Sequence, residues 1–238
     1  MSDPGLPTAQ HIVDAYNLLV RNIDENASAQ SEARAYGGII RSGKGTLVEG
    51  LARTTVEIAW RNLGGAPDRL SFEKNVISVP MKKEYIQSIE DAEIRKHILQ
   101  RIEEYVYKFK TDVHVNIDGN MVIGIECKAY TENAMIKRIM VDFTFLKHTY
   151  PDARAVLFQL ESQLGGDYAN PAAEKTFGSP STHTIMSYFD VDLWIVTLLE
   201  GERKVDRPIH KPEHYKDLQL ASVTKSIKIF EKLLSEFI

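Results

Sequence analysis

The feature that most constrains this chain is the turn signal Asp118-Gly119-Asn120, set between two runs of alternating apolar and polar residues. Alternation flanking an Asp-Gly pair predicts a β-hairpin over residues 112–128. With those three residues as the loop, Ile117 faces Met121 and Asp112 lies across from Glu126. Strand side chains alternate between faces. Val113, Val115 and Ile117 therefore share one side with Met121, Ile123, Ile125 and Cys127. The other side shows Asp112, His114 and Asn116 against Val122, Gly124, Glu126 and Lys128. A slip of one residue would pair Asp112 with Ile125 and mix the two sets, so the pattern itself disfavours it.

Facing residues in an antiparallel pair have Cβ atoms about 4.5–5.5 Å apart. Two carboxylates that close repel unless a cation lies between them or one is protonated. Hard oxygen donors with open positions suit Mg²⁺, which retains several waters and takes one or two carboxylates plus substrate phosphate. Lys128 follows Glu126 by two and emerges on the same face, where an ammonium can orient a water or neutralise charge on phosphorus. The alternative is structural: a half-buried hairpin with a surface Glu/Lys pair.

Asp112 followed by Glu126-Cys127-Lys128 resembles the active-site hairpin of the PD-(D/E)xK nuclease superfamily, whose largest group is the type II restriction endonucleases. The resemblance implies that Asp112, Glu126 and the backbone carbonyl of Cys127 ligate Mg²⁺ while Lys128 helps activate the attacking water. Thr111 stands where that family often has Pro. Asp118 is a rival first acid, but it sits at the hairpin tip, roughly 25 Å along the strand from Glu126. The family often adds an acid from a preceding helix. Glu49 fits, bordering an apolar face of Leu47, Val48, Leu51, Ala52, Val56 and Ala59; Glu57 is the other possibility. An i,i+4 ion pair with Arg53 is the structural alternative for Glu49.

A chain of 238 residues suits one catalytic domain, residues 1–238, with recognition elements inserted as loops, possibly 164–190 and 201–215. Apolar residues make up 43% and charged residues 26%, ordinary for a globular protein. No segment approaches the ~18 apolar residues of a membrane span, and no signal-peptide pattern opens the chain. A single cysteine excludes an internal disulfide and a cysteine-rich zinc site, so a cytoplasmic location is expected. Cys127 is expected as an apolar filler, not a nucleophile. A net charge of −4 means that any positive surface for nucleic acid is local.

Helical spacing predicts helices over residues 8–22, around Glu49, over 82–109, 131–150 and 216–237. The apolar runs 154–161 and 192–199 predict buried strands. Hairpin, helix, strand and strand in that order give an α/β fold, a central mixed sheet flanked by helices, as the restriction-endonuclease resemblance also implies.

Two segments offer positive charge for DNA. Arg41-Ser-Gly-Lys44-Gly45 is expected to precede a helix N-terminus, where free N–H groups favour phosphate. The segment 201–211 carries Arg203, Lys204, Arg207, His210 and Lys211, residue types that bond guanine or hold phosphate. The long Gly- and Pro-rich stretch 164–183 is expected to be functional or mobile, with Ser179, Ser181, Thr182 and His183 within reach of a groove. His114 reads as an exposed strand histidine able to assist Asp112. The functional expectation is a Mg²⁺-dependent type II restriction endonuclease that cuts double-stranded DNA at a palindromic site as a homodimer, leaving 5′-phosphate and 3′-hydroxyl ends. A structure-specific repair nuclease and a non-catalytic DNA-binding module remain alternatives.

Overall fold

The computed structural model describes residues 6–28 and 33–238; the side chains of 24–28, 33–39 and 41 fall outside that description. The chain opens with two long helices, α1 (Ala9–Ser28) and α2 (Ala33–Asn62). Ile12, Val13, Tyr16 and Val20 form the buried stripe of α1, and Leu19 is exposed. The segment 36–45 is not a loop leading into the Glu49 helix, because α2 runs through it without a break. Glycine disfavours helix interiors by about 1 kcal/mol, but tertiary packing outweighs propensity here. A Cβ at Gly43 would lie 3.8 Å from Ile23 of α1, an ordinary packing distance, so α2 meets α1 at this position.

Short strands β1 (Leu70–Ser71) and β2 (Ile77–Pro80) follow, then α3 (Lys83–Ser88), α4 (Ala92–Gln100) and strand β3 (Val106–Phe109). The single helix expected over 82–109 is thus two short helices and a strand. Asp91 starts the second helix, its carboxylate accepting from the Glu93 and Ile94 N–H groups. Val106-Tyr-Lys-Phe109 pairs antiparallel with β2. Ile86 and Ile98 are buried, but Ile94 is exposed, so no continuous stripe exists.

Strands β4 (Val113–Ile117) and β5 (Asn120–Glu132) form the hairpin. Helix α5 (Asn133–Thr149) returns the chain to β6 (Arg154–Gln163), parallel to β5. Helix α6 (Pro180–Met186), strand β7 (Leu193–Thr197) and helix α7 (Leu220–Leu234) complete the chain. The main sheet has the order β1-β4-β5-β6-β7, antiparallel across the first three strands and parallel across the last three. Residues of α1, α2 and α7 pack on one face, with Val115, Ile125, Phe158 and Phe230 in that core. Ile136, Met140, Phe143 and Leu146 of α5 pack on the other, with Ala155 and Leu157. This is the expected mixed α/β architecture. Among the described residues no helix is long and apolar enough to cross a membrane.

The hairpin reaches the expected register by a different route. Its turn has two residues, Asp118 (φ 51°) and Gly119 (φ 79°), both in the left-handed region that a tight hairpin turn requires. Ile117 therefore pairs with Asn120 and Asn116 with Met121. A bulge next to Val115 then absorbs one residue, and Val115 pairs with Ile123, His114 with Gly124 and Val113 with Ile125. Met121 and Val122 exchange the faces expected of them: Met121 packs toward α5 and Val122 joins the opposite core. Beyond the bulge the alternation holds.

Candidate active site

Both sides of the hairpin are packed, which corrects the division into one apolar and one chemical face. Against α5, a Cβ at Gly124 would come within 2.6 Å of Leu146. His114, expected to be exposed, is 1% exposed, and its Nε2 has no partner among the described residues. Burial lowers its pKa from the ordinary 6.5 to about 4, with Lys74 and Lys110 adding to the shift. It is a neutral core histidine rather than an assistant to Asp112.

The face opens only where Asp112, Glu126 and Lys128 emerge. Asp112 Oδ2 accepts the Cys127 N–H at 2.7 Å, which ties the residue before β4 to the middle of the Glu-x-Lys tripeptide. Lys128 Nζ lies 3.3 Å from Asp112 Oδ2, 2.5 Å from Glu126 Oε1 and 3.2 Å from the Cys127 carbonyl oxygen. One cationic group is thus ringed by two carboxylates and a carbonyl, the three oxygens expected to ligate a metal. All are hard donors, so their chemistry fits Mg²⁺.

Burial raises the pKa of Glu126; the Lys128 ammonium opposes that shift and the Asp112 carboxylate reinforces it. Burial would lower the pKa of Lys128, but the two carboxylates outweigh it and the net shift is upward. Burial also pushes the Cys127 thiol well above its usual range. With its side chain in the core and its carbonyl on the site, Cys127 is the expected filler and no nucleophile.

Glu49 is paired neither with Arg53 nor with the carboxylates: its Oε2 holds Lys74 Nζ at 2.9 Å. Its charge is nevertheless felt at the Cys127 thiol. Glu57 is exposed on the same helix. Sequence reasoning missed Asp142 of α5, whose carboxylate interacts electrostatically with both Glu126 and Lys128. Its one sequence signal is the i,i+4 spacing from Arg138, an ion pair at 3.8 Å that marks countless surface helices. Among the described residues no three His, Cys, Asp or Glu side chains form a cluster that could hold a metal ion.

The DNA-binding candidates divide into three groups. Lys44 lies inside α2, not before a helix N-terminus, so no free N–H groups accompany it. The side chain of Arg41 lies outside the described residues. Lys44 Nζ sits 3.2 Å from His210 Nδ1, so two candidates more than 160 residues apart in sequence do meet. Burial lowers the Lys44 pKa against the opposing charge of Glu161. Arg203 stacks 3.5 Å from the centre of the Tyr130 ring and donates to Gln163 Oε1 at 2.7 Å. Tyr130 follows Lys128 by two on β5, and the Arg203 charge is felt at Lys44. His210 and Lys211 are half-buried and engaged with neighbouring groups. Lys204 and Arg207 are exposed.

The stretch 164–190 is a built element rather than an open loop. The Asp167 carboxylate accepts from the Phe177 and Gly178 N–H groups, and Ser179 caps α6. Thr182 is fully buried and bonds Asn133 and Leu164, so Ser179 and Thr182 are structural. Ser181 accepts from Asn133, and His183 Nε2 is held 2.8 Å from the Phe177 carbonyl.

A hairpin that presents two carboxylates and a lysine midway along the strand that pairs parallel with β6, in a mixed sheet with helices on both faces, defines a nuclease of the PD-(D/E)xK superfamily. No family model matches the chain. Over 229 residues it is 46% identical to the type II restriction enzyme DdeI of Desulfomicrobium norvegicum, covering 94% of this chain and 95% of that enzyme. The chain belongs to the type II restriction enzymes, site-specific deoxyribonucleases that hydrolyse DNA. A solved structure described as the native BbvCI A2B2 tetramer at low resolution covers 96% of this chain and 87% of its own, at TM-score 0.40 and 8% identity.

Proposed function

We propose that this restriction endonuclease cuts both strands of a palindromic DNA site as a homodimer, using Mg²⁺ held by Asp112, Glu126 and the Cys127 carbonyl. The observation that carries the metal reading is that these three oxygens already surround one cation, Lys128 Nζ, at 2.5–3.3 Å. When bound, Mg²⁺ supplies Lewis acidity at the scissile phosphate and acidifies water.

The chain's own groups do the remainder. The Cys127 N–H fixes Asp112, and the Lys128 ammonium orients the attacking water or bonds a phosphate oxygen. The water oxygen forms a bond to phosphorus as the bond to the 3′-oxygen breaks, giving 5′-phosphate and 3′-hydroxyl ends. Arg203 on Tyr130, with Lys44 and His210, forms the DNA-facing side of the site, and Lys204, Arg207 and Lys211 extend it. The relative favours this reading over a branched-structure nuclease or a non-catalytic module. A reducing, cytoplasmic setting suits its one buried thiol.

Digestion of a sequenced plasmid tests the proposal. With Mg²⁺, discrete fragments with 5′-phosphate ends and a twofold-symmetric cut site are expected, from protein that sediments as two chains. EDTA abolishes them, and Asp112→Ala or Lys128→Ala lowers the rate by about 10²–10⁴-fold. Intact plasmid under Mg²⁺ and Mn²⁺, or full activity in Asp112→Ala, contradicts it.

A further inference from the structure

Lys128 stands where the proposed metal has to go. Its ammonium bonds the two carboxylates and the carbonyl that would ligate the ion. A divalent ion held by those three oxygens would take the position the ammonium now fills, so Lys128 would have to shift and give up part of these bonds. The Lys128 side chain keeps only 27% of its surface exposed, so water can serve its ammonium only in part and a nearby acceptor is favoured.

The adjacent strand holds such an acceptor. Lys128 and Gln159 are registered partners across the parallel pair β5–β6. Registered residues on neighbouring strands, about 4.8 Å apart, point to the same side of the sheet. Gln159 is fully buried. Its Nε2 donates to Thr197 Oγ1 at 3.0 Å, and Thr197 in turn donates to the Tyr168 carbonyl at 2.8 Å. Because that hydroxyl's proton is committed to the carbonyl, Thr197 can only accept from Gln159. The amide is thereby held with nitrogen toward β7, and its Oε1 is left buried without a partner among the described residues. An amide oxygen takes two hydrogen bonds and an ammonium gives three. A fixed, dry and unfilled acceptor beside a lysine that must move is a receiving site.

We infer that Gln159 is a positioning residue for Lys128: its Oε1 accepts the ammonium once a divalent ion occupies the three oxygens. The inference rests on the metal reading above. Gln159 touches neither metal nor phosphate; it sets where the lysine waits, and thereby how strongly Lys128 competes with the ion. Thr197 acts one bond further back, by orienting the amide.

Calorimetric titration of the full chain with Ca²⁺, without DNA, tests this by a double-mutant cycle. Gln159→Leu is expected to weaken Ca²⁺ binding about tenfold when Lys128 is present and to leave it unchanged in a Lys128→Met background, where no ammonium competes. Gln159→Glu, nearly the same shape, is expected to bind Ca²⁺ at least as tightly as the natural chain, and it carries the test if the leucine variant fails to fold. Thermal unfolding of each variant establishes that. Equal losses in both backgrounds would mark Gln159 as merely structural and overturn the inference, as would wild-type affinity in Gln159→Leu or weakened binding in Gln159→Glu. Absence of Ca²⁺ heat in the natural chain, with plasmid cleavage also absent, overturns the metal reading and this inference with it. Clear binding that ignores Gln159 overturns the inference alone.

Discussion

At the scale of single residues, the site shows how burial sorts similar groups into different tasks. Asp112 and Glu126 lie close together, and the ammonium between them makes that tolerable. His114, two residues along the same strand, has no such partner and is held neutral by burial. The consequence is a stability effect whose sign follows from linkage. With a folded-state pKa of about 4 against an ordinary 6.5, the unfolded chain takes up a proton over that interval and the folded chain does not. Stability is complete above pH 6.5 and drains away as pH falls toward 4. Melting temperatures measured from pH 7 to 4 should fall more steeply for the natural chain than for His114→Gln. Parallel curves would show that His114 titrates normally. Asp112, Glu126 and Lys128 were legible because alternation across a hairpin gives spacing a three-dimensional meaning. His114 was misread because the same alternation says nothing of what packs on each face.

At the scale of elements, the hairpin was placed correctly at its functional end, though the turn was assigned three residues instead of two. The bulge beside Val115 compensates for that difference, and only the Met121–Val122 step betrays it. Bulges leave little trace in an alternating pattern when both exchanged residues are apolar. Helix α2 and the segment 82–109 were misjudged for opposite reasons. Packing against α1 carried a helix through glycines, whereas a side-chain cap at Asp91 and a strand partner for Val106–Phe109 broke a periodic isoleucine series. The Gly- and Pro-rich stretch 164–183 was expected to be functional or mobile, and its glycines are what let it pack. Gly166 has φ 61°, and a Cβ there would lie 1.9 Å from the Gly178 carbonyl oxygen. Gly166→Ala should therefore loosen the Asp167–Gly178 clasp and destabilise the protein by about 1–3 kcal/mol. Limited proteolysis would show new cleavage within 164–190, and an unchanged digestion pattern and melting temperature would refute this account.

At the scale of the molecule, the fold brings the carboxyl ends of β5, β6 and β7 to one edge, where open α/β sheets commonly bind their ligands. Glu126 and Lys128 lie midway along β5, short of that edge, and Gln163 ends β6 there. Arg203, from the segment after β7, closes over Tyr130. Lys44 and His210 meet beside them. In a chain of net charge −4, Lys44, Arg203 and His210 are thus brought together from distant segments. The sequence showed which residues carry charge, but not that Arg203 would stack on Tyr130, since contacts between distant segments leave no periodic signature. Everything chemical depends on the two acidic side chains and the Cys127 carbonyl accepting a divalent ion in place of the lysine. An anomalous difference map from crystals soaked in Mn²⁺ tests that most directly. The account predicts a peak bonded to Asp112, Glu126 and the Cys127 carbonyl oxygen, with Lys128 Nζ moved off all three. A Mn²⁺ peak elsewhere in cleavage-competent protein, with Lys128 still seated between the carboxylates, would contradict it.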